Sequence, residues 1–172
     1  MLIERCIKND AQAQRQLYDK YAKQMVAVCF RYCGNYETAR DLMHDAFVKL
    51  FKNIASYTGE GVFEAWMRKI FVNTSLEYLR KNDVLKYSED IDDAGFVYDE
   101  NASAVEQISE QEILKIVASL PYGFRTVFNL YAIEGYSHAE IAKVLNINEV
   151  SSRSQFSRAR AILQKKILQY NK

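Results

Sequence analysis

Residues 137–160 read SHAEIAKVLNINEVSSRSQFSRAR, and the fold turns on this stretch. Ser137 followed by Glu140 is a capping box, which satisfies two orphan backbone donors and sets a helix start. Ile141, Ala142, Val144 and Leu145 then give that helix one apolar face. Asn146-Ile147-Asn148 is a tight turn, and Asn148 is a suitable cap for a second helix. The second helix is expected to bury Val150, Phe156, Ala159 and Leu163. It is expected to expose Ser151, Ser154, Gln155 and Arg158 on one side, flanked by Arg153, Ser157 and Arg160. A short helix, a turn of about three residues and a second helix rich in Arg, Ser and Gln make a helix-turn-helix. Arg reads guanine bidentately, Gln reads adenine, and Ser bonds phosphate or base edges. An ordinary helical hairpin with a solvated polar face satisfies the same pattern, so charge has to be weighed as well.

The formal net charge is only +1 over 172 residues, but it is unevenly spread. Residues 1–87 carry 14 bases and 10 acids, and residues 113–172 carry nine bases and three acids. Between them, residues 88–112 hold nine acids and no Lys or Arg, and from Ser151 onward there are six bases and no acid. Two basic blocks joined by an acidic strip meet the electrostatic requirement for phosphate contact at both ends. The bare C-terminal stretch meets it best, whereas the first block is better read as a solvated surface.

Upstream of the helix-turn-helix the chain keeps a helical period. Leu17, Tyr21, Met25, Val28 and Tyr32 form one stripe that Gly34-Asn35 ends. A second helix is expected from about Thr38, with Asp41 as a first-turn acid. Its apolar face is Ala39, Leu42, Met43, Ala46, Phe47, Leu50, Phe51 and Ile54, with Asp41, His44, Asp45, Lys49 and Lys52 opposite. The stretch SYTGEGV at 56–62 holds two of six glycines and is a loop. A third helix follows through Phe63, Trp66, Met67, Ile70, Phe71 and Thr74 to Arg80-Lys81. The acidic stretch has no periodicity and is expected to be a flexible linker. Helices resume near Glu106, are interrupted at Pro121, and continue through Phe124, Val127, Phe128 and Tyr131 to Gly135.

Composition excludes several classes. Six glycines and one proline are too few for the turns of an all-β fold. No run of about 18 apolar residues exists, and the N-terminal residues MLIERCIKND do not form a secretory signal. Three cysteines do not suggest a disulfide framework, so a soluble, cytoplasmic chain with reduced thiols is expected. Cys29 and Cys33 stand close enough on a helix to share a metal, but nothing at usual spacing completes a tetrahedral set, and they are better read as core. His44 and His138 are far apart. No Walker loop, nucleophile elbow or paired-carboxylate motif is present. No metal, no cofactor, no small-molecule substrate and no enzyme activity are expected.

Three segments together resemble the sigma-70 family of RNA polymerase initiation factors, in its extracytoplasmic-function (ECF) branch. ARDLMHDAFVKLFKNI, Ala39 to Ile54, is similar to the helix that docks on the clamp of the polymerase β′ subunit. GEGVFEAWMRKIFVNTSLEYLRK, Gly59 to Lys81, is similar to the segment that captures the promoter −10 element. Leu120 to Arg160 is similar to the helix-turn-helix that reads the −35 element. The match departs in the recognition helix. Asn148 and Val150 stand where the family often has Pro and Gly, and Ser152 and Gln155 where it often has an aliphatic residue and an Arg. The Ser-Arg-Ser-Gln pattern resembles Bacteroidetes-type members.

The resemblance implies an all-α fold of two small helical domains. They would be a region 2 bundle at 1–87 and a region 4 helix-turn-helix at 106–172, joined by an acidic linker at 88–105. It implies core polymerase contacts, with the β′ clamp helices and the β flap, through Asp41, His44, Asp45 and Lys49, with Phe47 and Leu50 at the margin. A single-stranded −10 base would be held by Tyr57, Thr58 and the loop Gly59 to Gly61, beside the helix bearing Asn73, a residue that helps recognise the base, with Arg68, Lys69, Arg80 and Lys81 on the strand backbone. The −35 duplex would be contacted by Arg153, Ser154, Ser157 and Arg158, with Arg160 nearby. Promoter DNA and core RNA polymerase are the implied partners, together with an anti-sigma factor, and no membrane insertion is expected. The rival reading is a helix-turn-helix regulator that binds DNA without polymerase.

Overall fold

Asp10 begins the first long helix. Its carboxylate accepts from the backbone N–H groups of Gln12 (2.9 Å) and Ala13 (3.2 Å), and Arg5 Nε donates to its other oxygen at 2.8 Å. The Arg5 guanidinium, followed by these cap bonds, holds the carboxyl below its usual range. A computed structural model describes residues 1–82 and 109–170, which form eight α-helices, two short irregular helical turns and no strand. The chain divides into two compact units, Met1–Asn82 and Asp83–Lys172. The expected acidic linker at 88–105 lies outside the described residues, as does the helix onset expected near Glu106.

The first unit contains α1 (Leu2–Ile7), α2 (Ala11–Cys33), α3 (Tyr36–Asn53), a single 3-10 turn (Ile54–Ser56) and α4 (Phe63–Lys81). Gly34 closes α2 in the left-handed region at φ 71°, where a side chain is strained, and its N–H donates to Phe30 O at 2.8 Å. Asn35 caps α3 by accepting from Thr38 N–H at 3.0 Å. The cap pulls the helix start to Tyr36, two residues before the expected Thr38. Glu37 is therefore the first-turn acid, and Asp41 lies in the second turn.

The α2 stripe Leu17, Tyr21, Met25, Val28 and Tyr32 is buried throughout. It packs on Leu42, Met43, Ala46, Phe47 and Leu50 of α3, and on Met67, Phe71, Leu76 and Leu79 of α4. Phe47 and Phe71 meet edge to face at 5.0 Å. Two buried hydroxyls on α4 are satisfied along their own helix, Thr74 donating to Ile70 O and Ser75 to Phe71 O. Cys6, Cys29 and Cys33 are buried thiols outside any disulfide, and burial pushes the Cys29 thiol up to about 12.

The second unit contains α5 (Glu110–Ala118), α6 (Tyr122–Phe128), α7 (His138–Leu145) and α8 (Glu149–Tyr170). α5 starts in a capping box between Ser109 and Glu112. α6 widens into a π-helical turn at Asn129–Ile133, where Glu134 N–H reaches back five residues to Asn129 O. Ile116, Val117, Leu120, Phe124, Ala159 and Leu163 form one apolar core, so α8 closes the unit against α5 and α6.

Candidate nucleic-acid interface

The helix-turn-helix is built from its caps outward. Ser137 and Glu140 form the capping box at the start of α7. Asn146, left-handed at φ 55°, ends α7. Asn148 Oδ1 accepts from Ser151 N–H at 2.7 Å and starts α8. The turn thus hands one capped helix directly to the next.

The inward face of α8 carries Phe156, Ala159 and Leu163 as expected, but Ser152 in place of Val150. Ser152, Phe156, Ala159 and Leu163 recur at i, i+4, i+7 and i+11. Ser152 and Ala159 are 0% exposed. Val150, expected inside, is 75% exposed, because it stands two residues before Ser152 on the far side of the helix. An unpaired buried hydroxyl would cost about 1–3 kcal/mol. Ser152 Oγ avoids this by bonding His138 Nδ1 at 2.8 Å. The pair was not expected from the sequence. Its signal is a polar residue at an inward wheel position, which needs a partner.

With that face inside, Arg153, Ser154, Ser157 and Arg158 fall on the outer side of α8. Arg153 and Ser157 are exposed, and Ser154, Arg158 and Gln155 are half-buried. Arg153 Nη2 donates to Glu149 Oε2 at 2.9 Å one turn earlier. Both side chains are solvated, so the pair is worth about 0.5 kcal/mol or less and yields readily to a phosphate. Arg160 does not join the outer row: its guanidinium lies over the Phe156 ring at 5.0 Å. Burial first, and then the Arg153 charge, holds the His138 imidazole below its ordinary value, against a smaller opposing effect from Glu149.

In the first unit, the loop before α4 is folded on an aromatic cluster. Tyr57 packs on Phe63 (5.3 Å) and Trp66 (5.5 Å), and Tyr57 Oη donates to Gly61 O at 2.8 Å. Tyr57 therefore braces the loop, and Thr58, Gly59 and Glu60 form its exposed tip. Trp66 is half-buried in the same cluster. Asn73 stands ten residues into α4 from Phe63, about 15 Å along the helix axis. Lys69, Asn73 and Arg80 share one exposed face of α4 with Glu77. Tyr21 Oη donates to Glu64 Oε1 at 2.5 Å and ties the first turn of α4 to α2.

On α3, Asp41, His44, Asp45 and Val48 are exposed along one face. His44 Nε2 bonds Tyr18 Oη at 3.0 Å, and Lys49 pairs with Glu77 of α4 at 2.5 Å. Phe47 and Leu50 do not lie at the margin of this face. They are 3% and 0% exposed and belong to the core, so the apolar part of the surface is Val48, 52% exposed. Among the described residues no group of three or more His, Cys, Asp or Glu side chains could hold a metal ion. No described helix is long and apolar enough to cross a membrane.

A helical bundle followed by a separate helix-turn-helix unit with Arg and Ser on its outer face has the makeup of a promoter-binding initiation factor. Comparison with known proteins agrees. The Sigma-70 region 2 family matches residues 17–84, and Sigma-70, region 4 matches residues 110–163. The chain is 27% identical over 178 residues to the ECF RNA polymerase sigma-E factor of Escherichia coli, covering 97% of this chain and 93% of that one. The sigma-E factor of Haemophilus influenzae is 27% identical over 177 residues, covering 96% and 93%. The fold is similar to that of the sigma factor RpoE, solved with the anti-sigma factor NepR from Bartonella quintana. That likeness has a TM-score of 0.53 at 20% identity, over 92% of this chain and 98% of that one. CnrH, solved with the cytosolic domain of CnrY, gives a TM-score of 0.51 at 20% identity, over 99% and 97%. This chain belongs to the sigma-70 family of RNA polymerase initiation factors, in its ECF branch.

Proposed function

We propose that the chain binds core RNA polymerase and directs it to a distinct promoter set. In this reading the second unit reads a −35 duplex and the first unit holds the −10 strand. The observation that carries it is the outer side of α8: Arg153, Ser154, Ser157 and Arg158 lie together there, in a stretch with six bases and no acid from Ser151 onward. Arg153 and Arg158 suit guanine or phosphate, and the two serines suit phosphate or base edges. In the first unit, the loop tip at Thr58 and Gly59 and the Lys69–Asn73–Arg80 face suit a strand followed along its backbone. Asp41, His44, Asp45, Val48 and Lys49 are the proposed polymerase surface. The chain acts without chemistry of its own, in the cytoplasm, and the polymerase supplies catalysis.

An anti-sigma factor is a further proposed partner, supported by the sigma factor RpoE of similar fold, solved in complex with the anti-sigma factor NepR. A regulator acting without polymerase is disfavoured, because both regions of a sigma factor are matched in order.

The test mixes purified chain with core polymerase and a pool of genomic promoter fragments. Co-elution with new run-off transcripts is the expected result. Replacing Arg153 and Arg158 together by Ala should abolish promoter-specific transcripts and leave co-elution intact. No co-elution, with tight binding of the lone chain to a palindromic duplex, would overturn the reading.

A further inference from the structure

His138 is connected to two elements besides its own. Nδ1 bonds Ser152 Oγ of α8 at 2.8 Å. One ring face stacks on Tyr131, in the π-turn after α6, at 4.3 Å and 13°. The ring also meets Phe156 of α8 at 5.9 Å and 62°, and Phe156 in turn packs on Tyr131 at 4.5 Å. The imidazole is thus clamped between the turn that precedes α7 and the inward face of α8.

The Ser152 bond differs in kind from the apolar contacts around it. Apolar burial is non-directional, so a helix held by it alone rotates by small amounts at little cost. A hydrogen bond weakens steeply as its angle bends, so it fixes an azimuth. Ser152 is directly followed by Arg153 and Ser154. At about 100° per residue, fixing Ser152 inward places Arg153, Ser154, Ser157 and Arg158 outward together.

We propose that His138 is a positioning residue for the recognition helix: it touches no base, and through Ser152 it sets the rotation of α8 and so the aim of the outer row. The proposal rests on the reading of α8 as the −35 reader.

The test uses the chain bound to core polymerase and measures run-off transcription from a recovered promoter and from the same promoter with its −35 segment scrambled. The ratio of the two is the readout. His138→Phe keeps the ring stack and removes the bond. Ser152→Ala removes the bond from the other side. His138→Asn keeps a polar group near Nδ1 without the ring. The first two should each lower the ratio about fivefold to tenfold, the size of one lost buried hydrogen bond, and their combination should do no worse than either. His138→Asn should recover most of the loss, and polymerase co-elution should stay unchanged in all. Arg158→Ala serves as the control for the parent reading. If it collapses the ratio while His138→Phe and Ser152→Ala leave it unmoved, the positioning role is wrong and the −35 reading stands. Equal losses at both promoters would reduce His138 to a folding residue and also overturn the proposal. If Arg158→Ala itself has no effect, the −35 reading fails and takes the proposal with it.

Discussion

Tyr21 and His138 are both side chains whose polar atoms join separate helices, and both lend themselves to direct tests. Tyr21 Oη is the main cause that holds the Glu64 carboxyl below its usual range. Tyr21→Phe should lower stability by about 1 kcal/mol in urea unfolding, with the denaturant slope unchanged. A carboxyl lowered in the folded state stabilises above its unfolded value and loses that contribution as pH falls through the folded one. The gap between wild type and Tyr21→Phe should therefore close in acid, below about pH 4.5. His138 has the same sign, in a higher pH window. Its folded value is depressed, so the unfolded chain binds the proton more tightly, and stability falls as pH drops below about 6.5. The charged and titratable groups around it are Glu149 and Arg153 on α8, Glu140 on α7, and Tyr131 and Tyr136 before α7. Between about pH 7.5 and 5.5 the melting midpoint of the second unit should fall more for wild type than for His138→Phe. An identical pH dependence would show that His138 does not titrate differently on folding.

At the scale of the helices, α3 separates surface from core within one turn. Leu50 is wholly buried, so Leu50→Ala should cost about 2–5 kcal/mol and Leu50→Met less than about 1.5 kcal/mol. Neither tests the polymerase surface, because both act on packing. Asp45→Arg, on the exposed face, should leave the melting midpoint in place and reduce co-elution with core polymerase. On α7, Ser137→Ala removes half of a capping box and should cost about 1 kcal/mol. Both the Ser137 cap and the α3 apolar stripe are legible in the sequence, because each is a pattern within four residues. The exact start of α3 was less legible: Asn35 lies beside Gly34 and looks like part of the stop, yet its side chain opens the next helix.

For the molecule as a whole, charge and thiol burial give two further measurements. Binding of the holoenzyme to its promoter should weaken with salt, and Arg153→Ala with Arg158→Ala should lower the slope by about one per phosphate contact removed. The three cysteines should resist alkylation in the native chain and react once it is unfolded, since all are buried and burial raises the Cys29 thiol. Helix content, the helix-turn-helix, the acidic strip and the family could all be read from the chain, because they rest on period, caps, turn residues and local charge. The partners of side chains could not. Tyr18 with His44, Lys49 with Glu77 and Tyr21 with Glu64 join residues 26, 28 and 43 positions apart. The inward turn of Ser152, the outward turn of Val150 and the bracing of the loop by Tyr57 are set the same way. A helical period says which residues share a face. Which face turns inward is settled by the packing of neighbouring helices, where an apolar surface must be covered and a buried hydroxyl must find its partner.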